Sequence, residues 1–135
     1  FDSAELTESS TAALDELVRL LADNPGTVIE LGAHCDYKGR DDYNERLSQR
    51  RAESVVGHLI AKGIDAKRLV AKGYGETTPK TVTKKMAERH PFMKEGDTLT
   101  EEYITALPEE LQEICNAENR RTEFRVLRTT YKLYE

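Results

Sequence analysis

The chain has 135 residues, of which 38% are hydrophobic and 33% charged, and its formal net charge at pH 7 is −5. This length and composition predict one globular domain, residues 1–135, large enough to bury a hydrophobic core. The acidic balance argues against nucleic-acid binding, which needs a basic face, and no apolar run is long enough to cross a membrane.

The first half of the chain alternates between predicted strands and helices. A first strand is expected at the start of the chain, completed by residues that precede Phe1. Polar residues at positions 7–10 can cap a helix whose apolar stripe ends at Asn24-Pro25-Gly26. Thr27–Ala33 is then predicted to form a buried strand.

A second helix is predicted over residues 42–62. Asp41 or Asp42 can cap its first turn, and Gly63 can end it in the left-handed conformation. Its apolar residues recur at helical spacing and are Leu47, Val55, Val56, Leu59 and Ile60.

Two further strands complete the predicted core of the fold. Residues 68–72 form the third strand, with Gly73 and Gly75 at its end, and alternating apolar residues over 122–129 indicate a last strand. The order βαβαβ(α)β predicts an α+β fold in which helices pack on a mixed four-stranded sheet.

An excursion at about residues 80–118 separates the last two strands. A short helix is predicted after Thr98, and Pro108 suits the first position of another helix, whose stripe contains Ile114 and Cys115. The excursion is interpreted either as a solvated insertion or as a contact surface for a partner protein.

The most informative residues are an acid at the end of the second strand and a helix face that follows it. Asp36 ends the strand region, and the residues sharing one face of the helix are Asn44, Leu47, Ser48 and Arg51. Arg50 points to another side and is expected in solvent. A half-buried Arg51 needs a carboxylate. That carboxylate is either Asp36, in a structural ion pair, or part of a zwitterionic ligand that Asp36 and Arg51 hold together.

Several spaced motifs resemble the signature of the OmpA-like peptidoglycan-binding family, which includes the Pal lipoproteins and the periplasmic part of the flagellar stator. The family signature reads Gly-His-Thr-Asp, Gly, Asn-x-x-Leu-Ser-x-x-Arg-Ala, Gly-Val or Gly-Ile, Gly-x-Gly-x-x-x-Pro and Asn-Arg-Arg. The matching segments here are Phe1-Asp2, Ala33–Asp36, Gly39, Asn44–Ala52, Gly63-Ile64, Gly73–Pro79 and Asn119–Arg121. The chain departs from the family at Ala33, Cys35 and Lys38.

The resemblance implies non-covalent binding of cell-wall peptidoglycan through the diaminopimelate of its stem peptide. Asp36 would accept hydrogen bonds from the ammonium of the ligand, and Arg51 would bind the carboxylate at the same end. Further pocket positions implied by the resemblance are Asn44 as a support, Asp2, Arg120, and Leu47 as apolar wall.

The same resemblance implies a periplasmic domain that anchors an outer-membrane or envelope protein to the wall. Membrane association would come only from parts of the parent protein outside this chain, and envelope proteins are possible partners. The alternative is a protein-interaction module in which Asp36 and Arg51 form a structural ion pair and no peptidoglycan is bound.

The resemblance also bears on whether the two cysteines form a disulfide bond. If the last strand lies beside the 27–33 strand, as the family fold implies, Cys35 and Cys115 can approach each other. An oxidising envelope compartment would allow a disulfide bond between them, and two buried thiols are the alternative.

Other kinds of site receive no support from the sequence. The three His and two Cys residues lack metal-ligand spacing, so no metal or cofactor is expected. No nucleophile has a base at a suitable spacing, so enzymatic activity is not expected.

Overall fold

The computed structural model describes residues 3–6 and 11–129. Within these ranges the chain has the mixed α+β fold that the sequence predicts. The strands are β1 (Ser3–Leu6), β2 (Val28–His34), β3 (Leu69–Gly75) and β4 (Arg121–Arg128). The helices are α1 (Thr11–Asp23), α2 (Asp41–Ala61), α3 (Lys84–Arg89), α4 (Glu101–Thr105) and α5 (Glu109–Asn119). No helix in the described ranges combines the length and apolarity needed to span a bilayer.

The strands form one sheet in the order β1-β4-β2-β3. β4 is antiparallel to both β1 and β2, whereas β2 and β3 run parallel. β1 spans Ser3–Leu6 among the described residues. The last strand, β4, therefore lies between β1 and β2, which brings residues distant in sequence side by side.

The first hydrophobic core lies between the sheet and helices α1 and α2. Strand residues alternate between faces, so Ile29 and Leu31 face this core while Glu30 and His34 share the opposite side. The buried members of this core are Leu17, Leu21, Ile29, Leu31, Leu59, Ile64, Leu69 and Phe124.

Helix α2 begins differently from the prediction and ends as predicted. Its N-cap is Arg40, and no side chain provides a capping hydrogen bond, so the expected Asp41 or Asp42 cap is wrong. Both aspartates lie in the first turn, where their charge is favourable near the positive end of the helix dipole. Gly63 has φ of 101°, which confirms the predicted left-handed stop.

Arg68 ends a 3-10 turn (Ala66–Arg68) before β3 instead of starting the strand. Its buried guanidinium donates to the carbonyl oxygens of Leu21, Asn24 and Thr27 at 2.7, 2.8 and 3.0 Å. These carbonyls lie at and beyond the end of α1, where a cation is favourable. The contact joins the end of α1 to the start of β3.

The segment at about 80–118 folds around a second apolar cluster. Thr83 and Thr100 cap α3 and α4 by accepting backbone N–H groups. The cluster's buried residues are Val82, Met86, Met93, Leu99, Ile104 and Cys115. The segment therefore buries apolar side chains of its own.

Candidate functional site

Asp36 lies just beyond β2, in the loop that leads to α2. Its Oδ1 accepts the backbone N–H of Lys38 at 2.9 Å, which fixes the carboxylate in a local turn. Its side chain is largely buried, with 11% of its surface exposed.

The ion-pair partner of Asp36 is Arg120. Arg120 Nη1 donates to Asp36 Oδ2 at 2.6 Å. The antiparallel register of β2 and β4 places His34 opposite Arg121, so the residues that flank these strand ends meet. The predicted structural ion pair between Asp36 and Arg51 is therefore wrong, since the tertiary pairing of strands gives Asp36 a different guanidinium.

Arg51 is half-buried on α2, and Arg50 is exposed, as their helix faces predict. Among the described residues, no carboxylate lies within ion-pair distance of Arg51. Half-burial restricts the hydration of its guanidinium, so a carboxylate partner is favourable there. Arg51 is thus available to an external carboxylate.

Polar side chains of α2 hold this helix against β3. Ser48 Oγ accepts the N–H of Gly75 at 2.9 Å, and Gln49 Oε1 accepts the N–H of Gly73 at 2.7 Å. Gln49 Nε2 also donates to the carbonyl of Ala71 at 3.1 Å. Ser48 and Gln49 therefore have a docking role, which helical periodicity alone did not reveal.

Asn44 shapes the loop that carries Asp36. It is buried, and its Nδ2 donates to the carbonyl of Lys38 at 2.8 Å. Gly39, beside it, has φ of 93°, a backbone conformation that favours glycine. The Asn44 side chain therefore supports the loop. Leu47 is half-buried on α2.

Helix α5 adds a residue that the sequence analysis did not single out. Glu113 Oε1 accepts from Arg120 Nη2 at 2.5 Å, and its Oε2 lies 3.8 Å from Lys38 Nζ. The hydrogen bonds of Arg120 with Glu113 and with Asp36 raise the pKa of Arg120, and the contribution from Glu113 is the larger. The available signal was the seven-residue spacing from Glu113 to Arg120, which is two helical turns.

An acidic pair lies close to the same loop. Burial, followed by a hydrogen bond with Asp41, raises the pKa of Glu76 from 4.5 to about 7. The charges of Glu101 and Asp36 act in the same direction. Several carboxylates therefore interact with Glu76 in this part of the molecule.

Two further predictions concern the edges of the candidate site. Cys35 and Cys115, both within the described ranges, are buried thiols, so the predicted disulfide bond is not formed. Cys35 Sγ donates to the carbonyl of Asn44 at 3.4 Å, whereas Cys115 packs in the second apolar cluster, so each thiol has a separate environment. Asp2 lies outside the described residues.

Comparisons with known proteins agree with this architecture. Outer membrane protein A of Escherichia fergusonii is 45% identical over 84 residues, which are 60% of this chain and 34% of that protein. The peptidoglycan-associated lipoprotein of Burkholderia pseudomallei has a similar fold, with a TM-score of 0.61 at 20% identity over 93% of this chain and 90% of that one. The cell wall anchor of the T6SS from Pseudomonas aeruginosa gives a TM-score of 0.54 at 24% identity, covering 84% of this chain and 62% of that one.

The aligned segment spans about a third of the length of the Escherichia fergusonii protein. The structural matches, at these identities, establish the fold. The sequence model of the OmpA family matches residues 1–90, which include β1 to β3 and the Asp36 and Arg51 positions. The chain therefore belongs to the OmpA family.

Proposed function

We propose that this domain binds cell-wall peptidoglycan non-covalently, through the side-chain end of diaminopimelate in the stem peptide. That end carries an ammonium and a carboxylate on one carbon atom. Asp36 accepts from the ammonium, and Arg51 donates to the carboxylate through two parallel N–H groups. Leu47 forms apolar wall, and Asp2 and Arg120 complete the pocket.

The observation that carries this proposal is the half-buried Arg51 guanidinium, which has no carboxylate partner in the described part of the chain. The acceptor capacity of Asp36 supports the part of the proposal that concerns the ammonium. A carboxylate can accept about four hydrogen bonds, and Asp36 uses its two oxygens for Lys38 N–H and Arg120. The carboxylate therefore retains acceptor capacity for an ammonium.

Binding at one such site is weak. Charge-assisted hydrogen bonds contribute about 1.5–3 kcal/mol each, and part of this is offset by ordering a flexible peptide. Peptidoglycan presents many copies of the ligand, so avidity supplies lasting attachment.

The cellular role follows from this chemistry and from the family. The domain lies in the periplasm and anchors an outer-membrane or envelope protein to the wall by binding rather than by catalysis. The names of the two similar structures, a peptidoglycan-associated lipoprotein and a cell wall anchor, support this role. The chain acts as one domain, with residues 80–118 as an insertion.

Binding of the purified domain to protein-free sacculi tests the function. Three capped amino acids then test the ligand, each with its α-amine acetylated and its α-carboxylate amidated. The diaminopimelate probe keeps both side-chain charges, the lysine probe keeps only the ammonium, and the 2-aminopimelate probe keeps only the carboxylate.

We expect NMR titration to give the tightest binding for the diaminopimelate probe. Loss of one charge removes about 1.5–3 kcal/mol, or roughly 10- to 150-fold in affinity, because either Asp36 or Arg51 then stays unpaired. Equal affinity for the lysine and diaminopimelate probes would contradict a role for Arg51. Absence of sacculus binding would contradict the proposed function itself.

A further inference from the structure

Helix α5 brings the carboxylate of Glu113 to the guanidinium of Arg120 and the ammonium of Lys38. Glu113 bonds to Arg120 at 2.5 Å and lies 3.8 Å from the ammonium of Lys38. Glu113 and Lys38 are both well exposed, with side-chain exposures of 60% and 59%. Their contact with each other is therefore partly screened by water, whereas the Arg120 bond is short and direct.

Without Glu113, the group formed by Asp36, Arg120 and Lys38 would carry a net positive charge. Asp36 carries −1, Arg120 and Lys38 carry +1 each, and these three sum to +1. Glu113 brings the sum to zero. An incoming ammonium is repelled by a local positive charge, so this difference acts directly on a ligand that binds Asp36 through a cation.

Glu113 also competes for Arg120. Arg120 divides its two terminal nitrogens between Asp36 Oδ2 and Glu113 Oε1. If Glu113 were neutral, the Arg120 charge would be neutralised by Asp36 alone, and the lone pairs of Asp36 would be less available to another donor.

Lys38 explains why such a residue is useful in this chain. It stands two residues after Asp36, and its backbone N–H is bonded to Asp36 Oδ1. Its ammonium, 3.8 Å from the Glu113 carboxylate, adds a cation to the same group of charges. Glu113 lies outside the segment matched by the family model, in a helix of the 80–118 region.

We infer that Glu113 is a positioning residue that offsets the charges of Arg120 and Lys38 and so makes the site selective for ligands bearing an ammonium group. This inference rests on the proposed function and adds a residue and a selectivity to it. Glu113 favours the cationic part of the ligand without contacting its carboxylate.

The test uses Glu113→Gln, which preserves shape and removes the charge. We expect about a three- to ten-fold loss of affinity for the diaminopimelate and lysine probes, as for a partly screened neighbouring charge. Affinity for the 2-aminopimelate probe stays unchanged or rises, because that probe has no ammonium. Glu110→Gln, the same change at an exposed position of α5, is the matched control and leaves all three affinities unchanged.

Rescue provides the second readout. Lys38→Gln in the Glu113→Gln background returns the local charge to its original sum and restores binding of the two cationic probes. Lys38→Gln alone strengthens their binding, and this result stands even if the Glu113 variant unfolds.

The possible failures are distinguishable. If Glu113→Gln weakens all three probes equally, or no more than Glu110→Gln does, the inference is overturned while the proposed function stands. If the wild-type domain binds none of the probes, the proposed function is overturned, and the inference with it.

Discussion

Arg50 and Arg51 are neighbours in the sequence and have different surroundings on α2. Arg50 is exposed, whereas Arg51 is half-buried on the side that the helix presents near Leu47. Removal of a solvated guanidinium costs the domain little ligand affinity. A half-buried one that binds a ligand carboxylate loses two charge-assisted hydrogen bonds.

We therefore predict that Arg51→Ala lowers the affinity for the diaminopimelate probe by about 10- to 150-fold, the equivalent of about 1.5–3 kcal/mol. Sacculus co-sedimentation and NMR titration of the probe measure the effect. Arg50→Ala is the control and changes affinity less than about two-fold, as surface substitutions usually do.

Thermal unfolding of both variants checks that the fold is intact. A stronger effect for Arg50→Ala than for Arg51→Ala would mean that the opposite face of α2 binds the ligand. Asp36→Asn belongs to the same series and should lower the affinity for the lysine probe, because binding of this probe depends on the Asp36 charge alone.

Residue identity alone did not decide which charges are paired. Periodicity placed Arg51 on an inward-leaning face because helical spacing is a local property. The partner of Asp36 was not local, since Arg120 is 84 residues away and reaches Asp36 through strand pairing.

At the scale of elements, the contact between α2 and β3 determines where the ligand residues stand. Gly73 lies under the helix, and a Cβ atom at this position would be 2.2 Å from the backbone nitrogen of Gln49. Real Cβ atoms do not approach backbone that closely, so the helix or the strand would have to move. The hydrogen bond that Gln49 donates to Ala71 and the one that it accepts from Gly73 depend on the same close approach.

We predict that Gly73→Ala lowers the free energy of unfolding by about 1–3 kcal/mol or more, since overpacked backbone contacts relax poorly. Urea unfolding followed by circular dichroism measures it. Gly57→Ala is the contrasting variant. Gly57 lies in α2, and a Cβ atom at this position would meet nothing within 4 Å.

Gly57→Ala should raise the free energy of unfolding by about 0.5–1 kcal/mol, because alanine has the higher helix propensity. Equal effects of the two glycine variants would show that α2 is not held against β3 at Gly73. The prediction of α2 itself was accurate in extent, while the capping residue was wrong, because Arg40 has the extended backbone that begins the helix and neither aspartate does.

For the whole molecule, the acidic pair beside the candidate site makes stability depend on pH. Burial raises the pKa of Glu76 to about 7, from an ordinary value of 4.5. Between these values the folded protein binds more protons than the unfolded chain, so the free energy of unfolding falls as pH rises through this window. His34 acts in the opposite direction, because burial lowers its pKa to about 4.

We predict that Glu76→Gln leaves stability near that of the wild type at pH 5 and raises it above the wild type at pH 8. The glutamine has no proton to lose, and its amide can still donate to Asp41. Chemical unfolding of both proteins across this range measures the difference, in which the contribution of His34 cancels. A difference that does not grow with pH would contradict an elevated pKa for Glu76.

The sequence by itself determined the α+β class, the main strands and helices, and the different exposures of Arg50 and Arg51. These follow from hydrophobic periodicity and glycine positions, which act over a few residues. Only the tertiary structure decided that Asp36 pairs with Arg120, that Glu113 joins them, and that Cys35 and Cys115 remain thiols. The physical reason is that these contacts depend on the register of β4 between β1 and β2 and on the packing of α5, where residues distant in sequence meet and local spacing gives no information.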